Sequence, residues 1–522
     1  MHLHLLVSIL EDFEMNLHGD VVFACVRRHR APHGVLARDH DDSGNLPRQI
    51  ETETRDETII SGNRTCSSLP WRHSSRRTSV LPPAMASVDA PVVVDGSLLE
   101  GGGQIVRVAA ALSAATRCPV RVDSVRTGRS KPGLAAQHLA GLRLVGEACG
   151  GRLVTPDDED VAVGSTAFIL HPGSVTDTAT ARADERSSDQ SDDKSKSSSI
   201  ASYSSDVHTA GAISLVTQAI LPVCAFSGRP TKITFTGGTD VSHAPPIGYV
   251  QNALAPVLKK HLDFEIKVEV KKRGYFPKGR GEVVLDFVPR SSSDGSSGTP
   301  DIYPPITIER LRANRGGNSE PAKLGCTIIN GEQDGKRQQT ESKFVAQAAF
   351  TSLLNKSPTV AIAAEEMAKA GIPVDVRTKV EPGIGDGGSV LMTASSIDKT
   401  ITLASSKVFE FPKGVVAPND RLKLMLECAT RCGEELAATI ESGAAVDHHL
   451  LDQLIVFMAL ADGRENKRSR VVAEAPISLH AQTAIAVCEQ ICGARFFVLE
   501  GEKGNVGEGL CAVECVGVGG RG

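Results

Sequence analysis

Two hydrophobic periods run through most of this chain. Short β-branched or alternating runs predict strands over Val92–Val94, Val120–Val125, Thr231–Thr236, Glu265–Lys271, Val283–Val288, Val374–Val380 and Val390–Ala394. Apolar residues three and four apart predict helices. In Leu134–Cys149 that face is Leu134, His138, Leu142, Val145 and Cys149, and Gly150-Gly151 closes it. The same spacing predicts helices over Gly248–Leu262, Lys343–Leu354, Thr359–Ala370, Asp420–Glu441, His448–Leu460 and Ala481–Cys492. Strand–helix–strand units recur, so the expected class is α/β or α+β with helices packed on sheets. No exact sequence repeat accompanies them, although the recurrence permits a structural one.

Three stretches break the pattern. Residues 1–84 mix Arg, His and acidic residues without lasting periodicity, and are too acidic for a transit peptide. They are expected to form a disordered leader, an extension that the working protein lacks. Ser174–Asp206, with RSSDQSDDKSKSSSIASYSSD at its heart, has too little apolar surface to offset chain entropy and reads as a solvated loop. Arg290–Pro305 reads as a linker.

Composition narrows the function. Lys+Arg 57 against Asp+Glu 62 leaves a net charge of −5, which excludes a globally basic nucleic-acid coat protein. Any phosphate site must be local. With 1 Trp, 4 Tyr and 15 Phe, an aromatic base-stacking platform is not expected. No run approaches the ~20 apolar residues that span a bilayer, so no membrane partner is expected. The cysteines form three CxxxC pairs, Cys428/Cys432, Cys488/Cys492 and Cys511/Cys515, and no CxxC. Such pairs alone cannot complete a zinc tetrahedron, and small buried core residues in a reducing compartment is the better reading.

The densest chemical signal is DGSLLEGGGQIVR, Asp95 to Arg107. A strand runs into an acid, three glycines and a helix, a geometry that brings backbone N–H groups and positive helix potential to a phosphate. Gln104 and Arg107 share a helical face, and Glu100 is a candidate ligand for a divalent ion bridging phosphate oxygens. The plainer reading is a Gly-rich turn followed by a surface Arg. Arg126, Arg129 and Lys131, ahead of Gln137-His138, make either a phosphate clamp or a solvated turn. The segment Arg273–Gly281 is cationic and Gly-rich: it either tracks a nucleic-acid backbone or is simply a hairpin. Phe235–Pro246 ends in two rigid prolines suited to flanking a flat base, though by itself it is a loop. His449, Asp452 and Gln453 share a face at the start of a helix whose run LIVFMALA must be buried. His480 falls in a first helical turn, where a neutral imidazole beside a bound phosphate is a nucleophile. A lone His is more often structural.

Taken in order, DGSLLEGGGQIVR, VRTGRSKPGLAAQHL, HTAGAISLVTQ, GGTDVSHAPP, KRGYFPKGRGEV, DQLIVFMALADG and SLHAQTAIA closely resemble the RNA 3′-terminal phosphate cyclase family, from about Val92 to the C-terminus. The resemblance implies a large domain of repeated βαβαββ units interrupted by a smaller α/β insert. The expected boundaries are a leader at 1–87, large domain at 88–297 with a low-complexity loop at 174–206, insert at 298–405, and large domain again at 406–522. It implies an ATP-dependent ligase that converts an RNA 3′-phosphate to a 2′,3′-cyclic phosphate through an adenylylated histidine, at His480, and an RNA-adenylate. ATP and a divalent metal, Mg or Mn, are the implied cofactors, with Glu100 as the metal-associated acid. Arg107, Arg126, Arg129 and Gln137 match phosphate contacts, and Gln218, Asp452 and Gln453 match further pocket positions. Pro245 and Tyr249 fall where the family packs the adenine. The implied partners are ATP and RNA ending in a 3′-phosphate, with no obligate protein partner, and eukaryotic relatives point to the nucleoplasm, with cytoplasm as the alternative.

This chain departs from the family pattern at four places. His449 stands where a Tyr is common, Arg280 replaces a usual Gly, Lys407–Asp420 matches the usual turn poorly, and the Ser-rich segment precedes HTAGAIS. Two other readings compete: a non-catalytic cyclase-like ribosome-biogenesis factor that keeps the fold as an RNA-binding scaffold, and an enolpyruvyl transferase-type enzyme. The scaffold branch lacks the nucleophilic His and the EGGGQ element, both present here. The transferase would have no His at position 480.

Overall fold

The computed structural model describes residues 90–173, 200–290, 303–309, 323–330, 335–369, 375–381, 383–396, 398–411 and 417–519. The expected leader and most of the expected Ser-rich loop and linker lie outside these residues. The first unit is β1 (Val92–Asp95), α1 (Gly103–Thr116), β2 (Val120–Asp123), α2 (Ala136–Ala148), β3 (Arg152–Val154) and β4 (Phe168–His171). Its sheet order is β1-β2-β4-β3, with β1 and β2 parallel and the rest antiparallel.

The second unit repeats this topology. It comprises β5 (Ala201–Asp206), α3 (Ile213–Phe226), β6 (Thr231–Gly237), a helical turn Ile247–Tyr249 that continues through a π segment Val250–Leu254 into α4 (Ala255–Leu262), then β7 (Glu265–Gly274) and β8 (Gly281–Val288). Strands β5 and β6 are parallel, and the order is again first-second-fourth-third. Strand β6 shows why the sequence forms a sheet: Thr231, Ile233 and Phe235 are buried, alternating with more exposed residues. Strand β5 corrects the loop expected to reach Asp206. Its Ser-rich composition suits solvent, but pairing with β6 satisfies its backbone, and tertiary context overrides composition.

A short strand β9 (Thr307–Ile308) opens the third unit, and the smaller unit then interrupts it. That smaller unit contains β10 (Lys323–Asn330), α5 (Gly335–Lys356), α6 (Pro358–Lys369), β11 (Asp375–Val380), β12 (Gly383–Ile384), β13 (Gly387–Ser395), β14 (Thr402–Glu410) and α7 (Pro418–Ser442). The third unit resumes with α8 (His448–Leu460), β15 (Ser469–Glu474), α9 (Leu479–Cys492), β16 (Arg495–Glu500) and β17 (Leu510–Val516). Its sheet, β9-β15-β17-β16, has β9 parallel to β15 and is the third copy of the same order. The insert's sheet differs, running β11-β10-β13-β14.

One apolar core gathers residues of all three units, from Val94 and Ile105 through Ile220 and Phe235 to Leu454 and Val487. A second core holds Leu324, Phe350, Val390, Phe409, Met425 and Ile440. Tyr303, Ile306 and Ile308 belong to the first core, so the insert begins after them rather than at 298. Helix α7 and strand β14 belong with the second, so the chain returns to the large unit after Ser442 rather than at 406. The described parts of Lys407–Asp420, residues 407–411 and 417–420, therefore belong to the insert. Among the CxxxC pairs, Cys511 and Cys515 lie buried on a strand, β17, rather than on a helix. No described helix is long and apolar enough to cross a membrane.

The insert docks through buried polar groups. Arg273 of β7, expected in a surface cationic turn, is instead buried, donating from Nη1 to Asp240 at 3.0 Å and from Nε to Glu381 at 2.6 Å. Asp240 also accepts from Ser389 Oγ of β13 at 2.6 Å and from Thr239 Oγ1 at 2.7 Å. Beside it, β12 adds to β7 in parallel. A buried charge left without its partner costs several kcal/mol. Arg273→Met is therefore expected to destabilise the protein by about 3–5 kcal/mol, and the double variant Arg273→Met/Asp240→Asn by less, both read from denaturant midpoints.

Candidate active site

Helix starts build this site. Arg107 is the fifth residue of α1, Gln218 the sixth of α3, and Asp452 and Gln453 the fifth and sixth of α8. These are the first helices of the three repeats. Gln137 and His480 are each second in the second helix of their repeat, α2 and α9. Similar topology thus brings Arg107, Gln218 and Asp452 together from the first helices of the three repeats. Helix α9 starts where Ser478 Oγ accepts from Ala481 N at 3.1 Å, and α8 where Asp447 accepts from His449 N and Leu450 N, both at 3.0 Å.

Glu100 and His480, 380 residues apart in sequence, meet across this boundary: Nδ1 of His480 lies 3.5 Å from Oε2 of Glu100. The other oxygen, Oε1, accepts from Arg129 Nη2 at 2.6 Å, and that same nitrogen also reaches the Glu100 carbonyl. Glu100 N approaches Thr483 Oγ1 at 3.4 Å, one turn along from His480. Glu100 is largely buried, whereas Arg129 and His480 are half-exposed. The pair thus sits at a mouth open to solvent.

Deeper in, Arg107 donates from Nε to Gln218 Oε1 at 2.8 Å and from Nη2 to Gln104 Oε1 at 2.5 Å. Both amides spend their oxygens on Arg107, leaving the buried Nε2 atoms of Gln104 and Gln218 without a hydrogen-bond partner. Buried donors of this kind suit an anionic ligand. Oε2 of Glu100 is the matching acceptor without a hydrogen bond. These atoms fit a nucleotide phosphate with an accompanying cation, although no described cluster of three His, Cys, Asp or Glu side chains forms a metal cage by itself. Gly103 is required by close approach: a Cβ there would lie 2.3 Å from His138 Nε2 and 2.9 Å from Arg107 Nη1.

Burial sets the electrostatics. Desolvation lowers the Arg107 pKa, opposed by Asp452 and Glu100. The Asp452 carboxyl is pushed up to about 8, chiefly by burial, with Arg107 opposing and Asp447 and Glu100 reinforcing. His138 is pushed down to about 3 by burial and then by Arg107 and Arg126. Its Nδ1 accepts from Ala135 N at 3.1 Å, which leaves the proton on Nε2. His449 is likewise lowered to about 3, by burial first and then by His448, Lys407 and His480.

Other expected site residues have structural partners. Arg126 turns to Gly133 O at 2.8 Å, and Gln137 Oε1 caps α3 by accepting from Ala212 N at 3.0 Å. Gln453 Nε2 donates to His449 O at 2.8 Å. Pro245 is half-buried, its carbonyl held by Ser214 Oγ at 2.6 Å. Tyr249 is fully buried with its hydroxyl on Asp447 at 2.6 Å, so it offers no ring face to solvent and backs His449 edge-on, centroids 5.8 Å apart. Sequence reasoning missed Asp447, although an Asp just before an apolar helical run is a readable N-cap. It also missed Thr483, one helical turn after His480.

Comparison with known proteins shows the family. A family model described as RNA 3′-terminal phosphate cyclase matches residues 98–498, and the chain belongs to that family. It is similar to proteins named RNA 3′-terminal phosphate cyclase from three organisms. The Nitrosospira multiformis relative is 31% identical, over 78% of this chain and 93% of that one. The Pyrobaculum neutrophilum relative is 29% identical, over 78% and 94%. The Drosophila melanogaster relative is 27% identical, over 82% and 96%.

The two neutral histidines predict acid sensitivity. An unfolded chain titrates them near the ordinary value of 6.5, the folded chain near 3. Between those values the unfolded state binds more protons, so stability falls as pH drops through that window, by up to about 1.4 kcal/mol per pH unit per histidine. Thermal melts from pH 7 to 4 are expected to show a shallower decline for His449→Gln than for the unsubstituted protein.

Proposed function

We propose that this protein converts the 3′-terminal phosphate of RNA to a 2′,3′-cyclic phosphate at the expense of ATP, with His480 as the nucleophile. The observation that carries this reading is the meeting of His480 with Glu100, whose other oxygen Arg129 holds. Nδ1 of His480 faces the carboxylate, so Nε2 is the free nucleophilic atom. It attacks the α-phosphorus of ATP: a P–N bond forms, the α–β bridging P–O bond breaks, and pyrophosphate leaves. An oxygen of the RNA 3′-phosphate then takes the adenylyl group, and the P–N electron pair returns to the imidazole. Finally the adjacent 2′-hydroxyl, losing its proton, attacks the activated 3′-phosphorus and expels AMP.

The chain's own part is to hold charge and position. Arg107 and the unpartnered amide donors of Gln104 and Gln218 suit phosphate oxygens, and Arg129 brings a half-exposed cation to the mouth. Mg or Mn bound with the nucleotide would take Glu100 as its protein ligand and neutralise phosphate charge. His449 and Pro245 are the candidates for flanking the adenine, with Tyr249 behind His449. The competing scaffold reading is disfavoured because His480 and the EGGGQ element are both present and assembled. Nuclear residence is part of the proposal and rests on resemblance to eukaryotic cyclases; imaging of the tagged full chain tests it.

Incubation with α-labelled ATP and Mg or Mn is expected to leave an acid-labile label on the protein. His480→Ala is expected to lower that labelling at least about a thousandfold and to abolish conversion of a 3′-phosphorylated oligonucleotide to a phosphatase-resistant end. Equal labelling of both proteins would remove His480 as the nucleophile.

A further inference from the structure

The hairpin joining β7 to β8, Tyr275–Arg280, is not used by the site described above. Its inward side is buried: Tyr275 is fully buried, and Arg273 just before it is locked to Asp240 and Glu381. Its outward residues are Phe276, Pro277, Lys278 and Arg280, all exposed. Phe276 is 54% exposed, an unusual place for an apolar ring. Neither Lys278 nor Arg280 has an ion pair among the described residues. One aromatic face flanked by two free cations is the composition that single-stranded nucleic acid recognises, a base stacking on the ring and phosphates meeting the cations. The scarcity of aromatics excludes an extended stacking platform and leaves room for a single ring.

The hairpin is held rigidly and adjoins the site. Gly279 N donates to Tyr275 O at 2.8 Å, and Gly279 has φ +64. A Cβ on Gly279 would lie 2.5 Å from Thr209 O and 2.7 Å from Ala210 Cα, so the hairpin backbone presses on the loop leading into α3. That loop touches Gln137, since a Cβ on Gly211 would meet Gln137 Cβ at 2.9 Å. Gln137 precedes His138, which abuts Gly103 and the Arg107 cluster. A short run of contacts therefore connects the hairpin to the phosphate site.

Resting on the RNA-end reading above, we propose that this hairpin seats the unpaired nucleotides just upstream of the RNA 3′ end. Phe276 stacks on a base, and Lys278 and Arg280 hold the flanking phosphates. The test uses the full chain and a short fluorescent single-stranded RNA with a 3′-phosphate, read by anisotropy over a salt series, alongside self-labelling with α-labelled ATP. Phe276→Ala is expected to weaken RNA binding roughly tenfold or more, with Phe276→Trp restoring it. Lys278→Gln/Arg280→Gln is expected to flatten the log–log salt slope by about 1.4, two phosphate contacts' worth for a single strand. Self-labelling should be unchanged in each, which separates a lost RNA seat from a misfolded protein. Unchanged affinity and salt slope in these variants overturns the proposal and leaves the hairpin as a protein-contact surface. Absent self-labelling in the unsubstituted protein would instead count against the cyclase reading, while anisotropy still decides the hairpin.

Discussion

A single buried guanidinium joins the three repeats. Arg107 rises from α1 in the first repeat, donates to Gln218 on α3 of the second, and lies within electrostatic reach of Asp452 on α8 of the third. Burying a cation is costly, so it must be partnered from every side. Partnering from helices of different repeats is available only when those helices converge. The charge therefore couples the packing of the core to the composition of the site. It also leaves the site incomplete by design: each glutamine gives its oxygen to Arg107 and keeps a buried amide donor unused.

The insert is tied down by the same principle with the sign reversed. Asp240 and Asp447 are buried carboxylates, one accepting from Arg273, Thr239 and Ser389, the other from Tyr249, the first turn of α8 and Ala404 N of β14. Each gathers donors from the large unit and the insert together. Asp447 has a second consequence, because its bond to Tyr249 fixes the ring behind His449. Tyr249, expected to touch the base, thus becomes a support for the His449 ring.

At the mouth, charge gives way to exposure. Burial holds His138 and His449 neutral and raises Asp452, whereas His480 and Arg129 remain half-exposed beside the largely buried Glu100. The imidazole of His480 can be reached from solvent, and Glu100 beside it is shielded. The division falls along α9: His480 projects from its first turn, and Thr483 one turn later already reaches the Glu100 backbone.

Alternation and helical spacing are local properties, so the strands and helices expected from them coincide with observed elements, whereas α3, β3, β4, β10, β14 and β15 carried no such expectation. The sequence by itself also determined the chemical alphabet of the site, since Glu100, Arg107, Arg129 and His480 each sit at a strand exit or helix start that periodicity locates. Boundaries set by non-local pairing were not legible. Strand β5 looked like solvated serine until β6 paired with it, and the insert ran on through α7 because its apolar face packs against the second core. Only the packing of distant segments separates Glu100, Gln104 and Gln218, which keep buried polar atoms without a hydrogen bond, from polar residues bonded within the fold. Arg273, Tyr249 and Gln137 carry the right chemistry for substrate contact, yet each spends it on a buried partner, and whether a side chain meets solvent or a partner depends on what other segments bring to it.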